Sequence, residues 1–67
     1  MSIAVDLSNK RRVPELYKLW YIENFGMSPH FTFVEKQEAG DYTFSNVNPN
    51  FVAWLKANYP TLILREF

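Results

Sequence analysis

The sequence predicts an α+β fold: a small antiparallel sheet of three to four strands with two helices on one face, in the order β-α-β-β-α-β. Three observations predict it. Short stretches of period-two alternation recur near the start, in the middle and at the end of the chain. Two helix-length stretches, each opened by a proline, separate them. A glycine-bearing gap divides the middle alternating stretch into the arms of a hairpin. This is the split βαβ, or ferredoxin-like, order; without the first strand, the chain reads as α-β-β-α-β on a three-stranded sheet.

The elements follow in turn. Ile3, Val5 and Leu7 alternate with Ala4 and Asp6, a short strand. Ser8 to Arg12 is a polar, basic connector. Pro14 suits the first turn of a helix, where its missing N–H costs nothing, and Glu15 complements the helix dipole. This helix is expected to run to Asn24 or Phe25, with Gly26 as the left-handed residue after its end and Ser28-Pro29 beyond. On its wheel, Leu16, Leu19 and Trp20 cluster on the side expected to face the sheet, although Glu23 falls within that stripe. Tyr17, Tyr21 and Phe25 form a second cluster about 120° away.

Phe31 to Lys36 and Asp41 to Asn46 both alternate, and Gln37-Glu38-Ala39-Gly40 between them supplies the loop. Phe31, Phe33, Tyr42 and Phe44 then share one face of the ribbon, and Thr32, Val34, Thr43 and Ser45 the other. Asn48-Pro49 opens the second helix, Asn as cap and Pro in first position, with Phe51, Val52, Trp54, Leu55 and Tyr59 on its apolar arc. Pro60 ends it. Thr61 to Phe67 reads as a last strand, apolar on both faces at Leu62-Ile63-Leu64.

Size and composition bound the function. The 67 residues make one domain, 1–67. Aromatic residues are 18% of the chain, which excludes intrinsic disorder. Seven basic residues balance seven acidic ones, which argues against generic attraction to a phosphate backbone or an acidic membrane. No cysteine is present, so disulfide staples, thiolate zinc sites and thiol nucleophiles are excluded. No signal-peptide pattern opens the sequence, and no run reaches the roughly 18 apolar residues of a membrane span. Cytoplasmic residence is the expectation, without membrane attachment.

No catalytic constellation stands out. Gly26 and Gly40 are too far apart for a phosphate loop, and the single histidine, His30, has no ligand or triad spacing around it. Glu35, Glu38 and Asp41 read as a solvated acidic hairpin tip. The chain is therefore expected to be no enzyme, and neither cofactor nor metal is implied. Lys10-Arg11-Arg12 is the one basic run, a solvated connector or a charged contact beside the first helix.

The surplus of apolar surface decides the functional expectation. If the sheet buries Leu16, Leu19 and Trp20, then Tyr17, Tyr21 and Phe25 face the flank or solvent, and tyrosine is enriched at interfaces. The last strand would lie at a sheet edge, where a bare apolar strand invites pairing, including with a second copy of the chain. The expected function is that of a small protein-interaction module: a regulator, adaptor or inhibitor that docks on or occludes another protein. Tyr17, Tyr21 and Phe25 would be its anchors, with Lys10, Arg11 and Arg12 as the charged rim. A free-standing blocker of this size fits a phage or mobile-element setting. The alternative is a single-stranded nucleic-acid binder that stacks bases on Phe31, Phe33, Tyr42 and Phe44.

Overall fold

A computed structural model describes residues 1–30 and 33–67. Strand β1 (Ile3–Asp6) is followed by a 3-10 turn (Leu7–Asn9), helix α1 (Arg12–Phe25), the hairpin β2 (Val34–Gln37) and β3 (Asp41–Ser45), helix α2 (Pro49–Asn58) and strand β4 (Ile63–Glu66). The four strands form one antiparallel sheet in the order β2-β3-β1-β4. This is the split βαβ arrangement: each helix connects two strands that flank a third running the other way. The first strand is central, paired to β3 through Ile3↔Phe44 and Val5↔Tyr42, and to β4 through Ala4↔Arg65.

Strand parity sets which face meets the helices. Ile3, Val5 and Phe44 are buried beneath them with Phe33, while Ala4, Thr43, Ser45, Val34 and Lys36 lie on the opposite face, where Ala4 and Thr43 are still buried and Val34 and Lys36 are exposed. Val13, Tyr17 and Trp20 of α1 and Phe51, Val52 and Leu55 of α2 complete the core, and Val47 and Leu62 close its ends. Rings interlock there: Tyr17 stands edge-on to Phe33 at 4.7 Å and to Phe51 at 5.0 Å between centroids.

Local chemistry explains where the elements begin and end. The Asp6 carboxylate accepts from the Ser8 amide at 3.0 Å and also from the Ser8 hydroxyl, which turns the chain into the 3-10 segment. Leu7 consequently leaves the strand expected for it. The Ser8 hydroxyl and then its amide hold the Asp6 pKa below 3.8. Helix α1 starts two residues before Pro14, which still lies in the first turn. It stops at Gly26, whose φ of 70° is left-handed and whose N–H donates to Ile22 O at 2.8 Å. In α2 the Asn48 side chain accepts from the Asn50 amide at 2.8 Å, with Pro49 at the first position.

The strand expected over 31–36 is shorter, since β2 begins at Val34 and Phe33 precedes it; Phe31 and Thr32 lie outside the described residues. Strand β4 likewise starts at Ile63, after a turn in which the Leu62 N–H donates to Tyr59 O at 3.1 Å.

Candidate docking surface

The largest departure from expectation concerns which face of α1 is buried. Tyr17 is 3% exposed and Leu19 is 62% exposed. The buried stripe is Val13, Tyr17 and Trp20, spaced i, i+4 and i+7 on one side of the helix. Starting the helix at Pro14 leaves Val13 off the wheel, and without it the stripe is invisible. Glu23 is exposed, as its charge requires, and the face it shares with Leu19 turns away from the sheet with it. Tyr17 is therefore a core ring and not an anchor; burial, then the neighbouring Tyr21, raises its pKa above 10.0. Tyr21 is half-buried, roofing Tyr17 and touching Phe25 with ring centroids 5.7 Å and 4.6 Å away. Only Phe25 of the three expected anchors is well exposed.

On α1 the apolar surface left outside joins Phe25 to residues not expected there; elsewhere Met1, Val34, Leu64 and Phe67 are also exposed. Leu19, Ile22 and Phe25, with Met27 just past the helix end, are between 40% and 62% exposed. Residues three apart on an α-helix differ by about 60° in direction, so Leu19, Ile22 and Phe25 form an oblique stripe across the outward face. Ile22 lies roughly opposite Val13 and Trp20 on the wheel, at about 100° per residue. Glu15 and Lys18 flank it and are exposed. Phe25 is steadied from behind by Trp20, edge-on at 5.7 Å.

The basic run does not border this stripe. Lys10 and Arg12 lie at the opposite end of α1, about 20 Å from Phe25 at 1.5 Å per residue. The Lys10 ammonium sits 5.5 Å from the centre of the Tyr42 ring, and the Arg12 guanidinium 5.5 Å from that of Tyr59. Two of the three cations thus pack against the protein's own rings, and Arg11 is exposed. The six residues expected to form one site are not brought together.

Of the aromatic ribbon, Phe33 and Phe44 belong to the core. Phe44 is fully buried and Phe33 nearly so, their rings edge-on at 5.5 Å. Tyr42 is half-buried with Lys10 over it, and Phe31 lies outside the described residues. The open side of β2 and β3 carries Val34, Lys36, Thr43 and Ser45, none of which offers a ring for a base to stack on.

The acidic tip is divided among separate partners. Glu38 pairs with Lys36 at 3.3 Å and Asp41 with Arg65 at 2.8 Å. Glu35 lies beside the Tyr42 hydroxyl, and its hydrogen bond, followed by desolvation and by its charge, raises the Tyr42 pKa above 10.0. His30 is exposed. No group of three or more His, Cys, Asp or Glu side chains converges among the described residues. No helix among them is long and apolar enough to cross a membrane.

The last strand is an edge, but it is not the bare apolar edge expected. Its register with β1 slips between Ala4 and Val5, which leaves Leu64 without an opposite residue. Arg65 and Glu66 are ion-paired, to Asp41 at 2.8 Å and to Lys56 at 3.0 Å. An irregular, charged strand resists edge-to-edge pairing. No family model, curated protein or solved structure matches the chain.

Proposed function

We propose that this chain is a non-enzymatic protein-interaction module, a small regulator, adaptor or inhibitor, that acts by docking on a partner protein and occluding or recruiting it. The observation that supports this reading is the outward stripe Leu19, Ile22 and Phe25, extended by Met27. An amphipathic helix that presents spaced apolar anchors to a partner's groove is a common mode of recognition. Here the helix is held rigid by its buried side, so little ordering is needed when the outer side is covered. Met27 adds an adaptable side chain at the end of the stripe. A net charge of zero suits recognition by shape and apolar contact more than by long-range steering. The cysteine-free sequence suits a reducing compartment such as the cytoplasm, and a phage or mobile-element source suits a small occluding module.

The test is paired affinity capture from the cells of origin with the wild-type chain and with Leu19→Glu/Ile22→Glu. Both substitutions lie on the solvent side of α1, so stability should change by no more than about 0.5 kcal/mol each. A partner held by the wild-type chain should be lost from the variant. Tyr17→Ala is the contrasting control: removal of a core ring costs about 3–5 kcal/mol and should abolish folding and capture together. Equal retention by wild type and Leu19→Glu/Ile22→Glu would place the interface elsewhere.

A further inference from the structure

Most charged side chains of this protein are engaged within the fold. Lys36 pairs with Glu38, Lys56 with Glu66 and Arg65 with Asp41. Lys10 and Arg12 lie over rings, Asp6 accepts from Ser8, and Glu35 holds the Tyr42 hydroxyl. Among the described residues, the charged side chains left with no ion pair, hydrogen bond or ring contact are Arg11, Glu15, Lys18 and Glu23. All are exposed, and all lie on α1 or at its cap. The helix that carries the outward apolar stripe also carries the uncommitted charges.

These charges are sorted by sign around the stripe. On the wheel, Glu23 lies about 40° outside Leu19, and Lys18 about 40° outside Ile22 on the other side. The apolar pair therefore has an acidic edge and a basic edge. In heptad terms Leu19 and Ile22 take the core positions a and d, and Lys18 and Glu23 the flanking positions g and e. In a parallel pair of such helices, related by a two-fold axis along their length, the g edge of each copy faces the e edge of the other. Lys18 of one copy then meets Glu23 of the second, and the pair forms twice. An antiparallel pair would set basic edge against basic edge and acidic edge against acidic edge. The charge pattern is self-complementary in the parallel arrangement alone.

From this pattern we infer that the outward face of α1 docks on a second copy of the chain, in a reversible parallel dimer built on Leu19 and Ile22 with reciprocal Lys18–Glu23 pairs. The inference rests on the reading above that this stripe is the docking face, and it adds a regulation to it. Dimer and partner complex use the same residues and exclude each other, so self-association masks the stripe until a partner displaces the second copy. Two features keep the dimer weak enough to be displaced. A standard stable interface takes about 800 Å² from each partner. Against a total surface of 4407 Å², that is more than one face of a 14-residue helix offers. Glu15 also falls at the d position one heptad before Ile22, where it would face its own counterpart, so the apolar seam stops short of it.

The experiment is sedimentation equilibrium of the intact chain and its variants. The wild type should pass from monomer to dimer between about 10 μM and about 1 mM. Leu19→Glu/Ile22→Glu should stay monomeric throughout. Lys18→Glu and Glu23→Lys should each weaken the dimer about tenfold, and an equimolar mixture of the two should recover it, because each copy then supplies the charge that the other needs. Glu15→Leu should tighten it about tenfold by extending the seam. All these side chains are exposed, so the thermal midpoints measured below the association range should stay close to that of the wild type. A wild-type chain that remains monomeric at about 1 mM, or a dimer indifferent to both Lys18→Glu and Glu23→Lys, overturns the inference. The two readings fail separately. A monomeric chain whose captured partner is lost in Leu19→Glu/Ile22→Glu sinks the dimer alone, whereas a charge-sensitive dimer that captures no partner sinks the docking function alone.

Discussion

Tyr42 carries the sharpest residue-scale consequence. Its hydroxyl is shared with Glu35 across the hairpin, and its ring is capped by the Lys10 ammonium. The Glu35 hydrogen bond favours the neutral phenol and is the largest cause of the raised pKa, ahead of desolvation and of the Glu35 charge. Because the folded value lies above the unfolded one, near 10.0, the contribution to stability is fully present below pH 10 and is lost as pH rises through the folded value. Glu35→Ala should bring the Tyr42 titration back toward 10.0, read from its ring resonances by NMR. An unmoved titration would mean that Glu35 does not hold the hydroxyl.

At the scale of the element, α1 is defined by its two ends. Val13 at the front completes the buried stripe, and Gly26 at the back allows the chain to leave. A Cβ at Gly26 would meet no atom within 4 Å, so substitution there is opposed by backbone conformation alone. Its φ of 70° penalises an L-residue by about 1–2 kcal/mol. Gly26→Ala should lower the urea midpoint accordingly with the m-value unchanged, and Gly26→Asn should lower it less. Asn46 already occupies this region of backbone space, with φ at 62°. No loss in Gly26→Ala would show that α1 can end another way.

At the scale of the molecule, β1 is the keystone. It pairs on both sides, its Ile3 and Val5 are fully buried, and without it β4 and the hairpin have no common neighbour. Deletion of residues 1–6 should therefore abolish cooperative unfolding, monitored by circular dichroism, and collapse the amide dispersion seen by NMR. A deletion variant that still melts cooperatively would show that the remaining strands form a sheet by themselves. The folded surface of 4407 Å² equals what the size relation gives for a compact chain of 7.9 kDa, about 4,400 Å².

Local rules made the elements legible in sequence: period-two runs for the strands, Pro14 and Asn48-Pro49 for the helix starts, Gly26 and Gly40 for the turns. These act over a few residues, and no distant contact is needed to read them. The order of elements then left the split βαβ sheet as the arrangement, and the two-faced hairpin with Phe33 and Phe44 inward followed from parity alone. The rotation of α1 about its own axis was a different matter. Its wheel is apolar almost all round, so Leu16, Leu19 and Trp20 compete with Val13, Tyr17 and Trp20 for the sheet, and periodicity does not separate them. Only the docked positions of Phe33 and Phe51 select Tyr17 for the interior and turn Leu19 outward. The same holds for the cations: in sequence Lys10 and Arg12 are a charged run, and in three dimensions they cover Tyr42 and Tyr59. Sequence alone determined which segments are apolar; tertiary packing decided which apolar side is left over for others, because burial is a competition settled by the shape of what lies opposite.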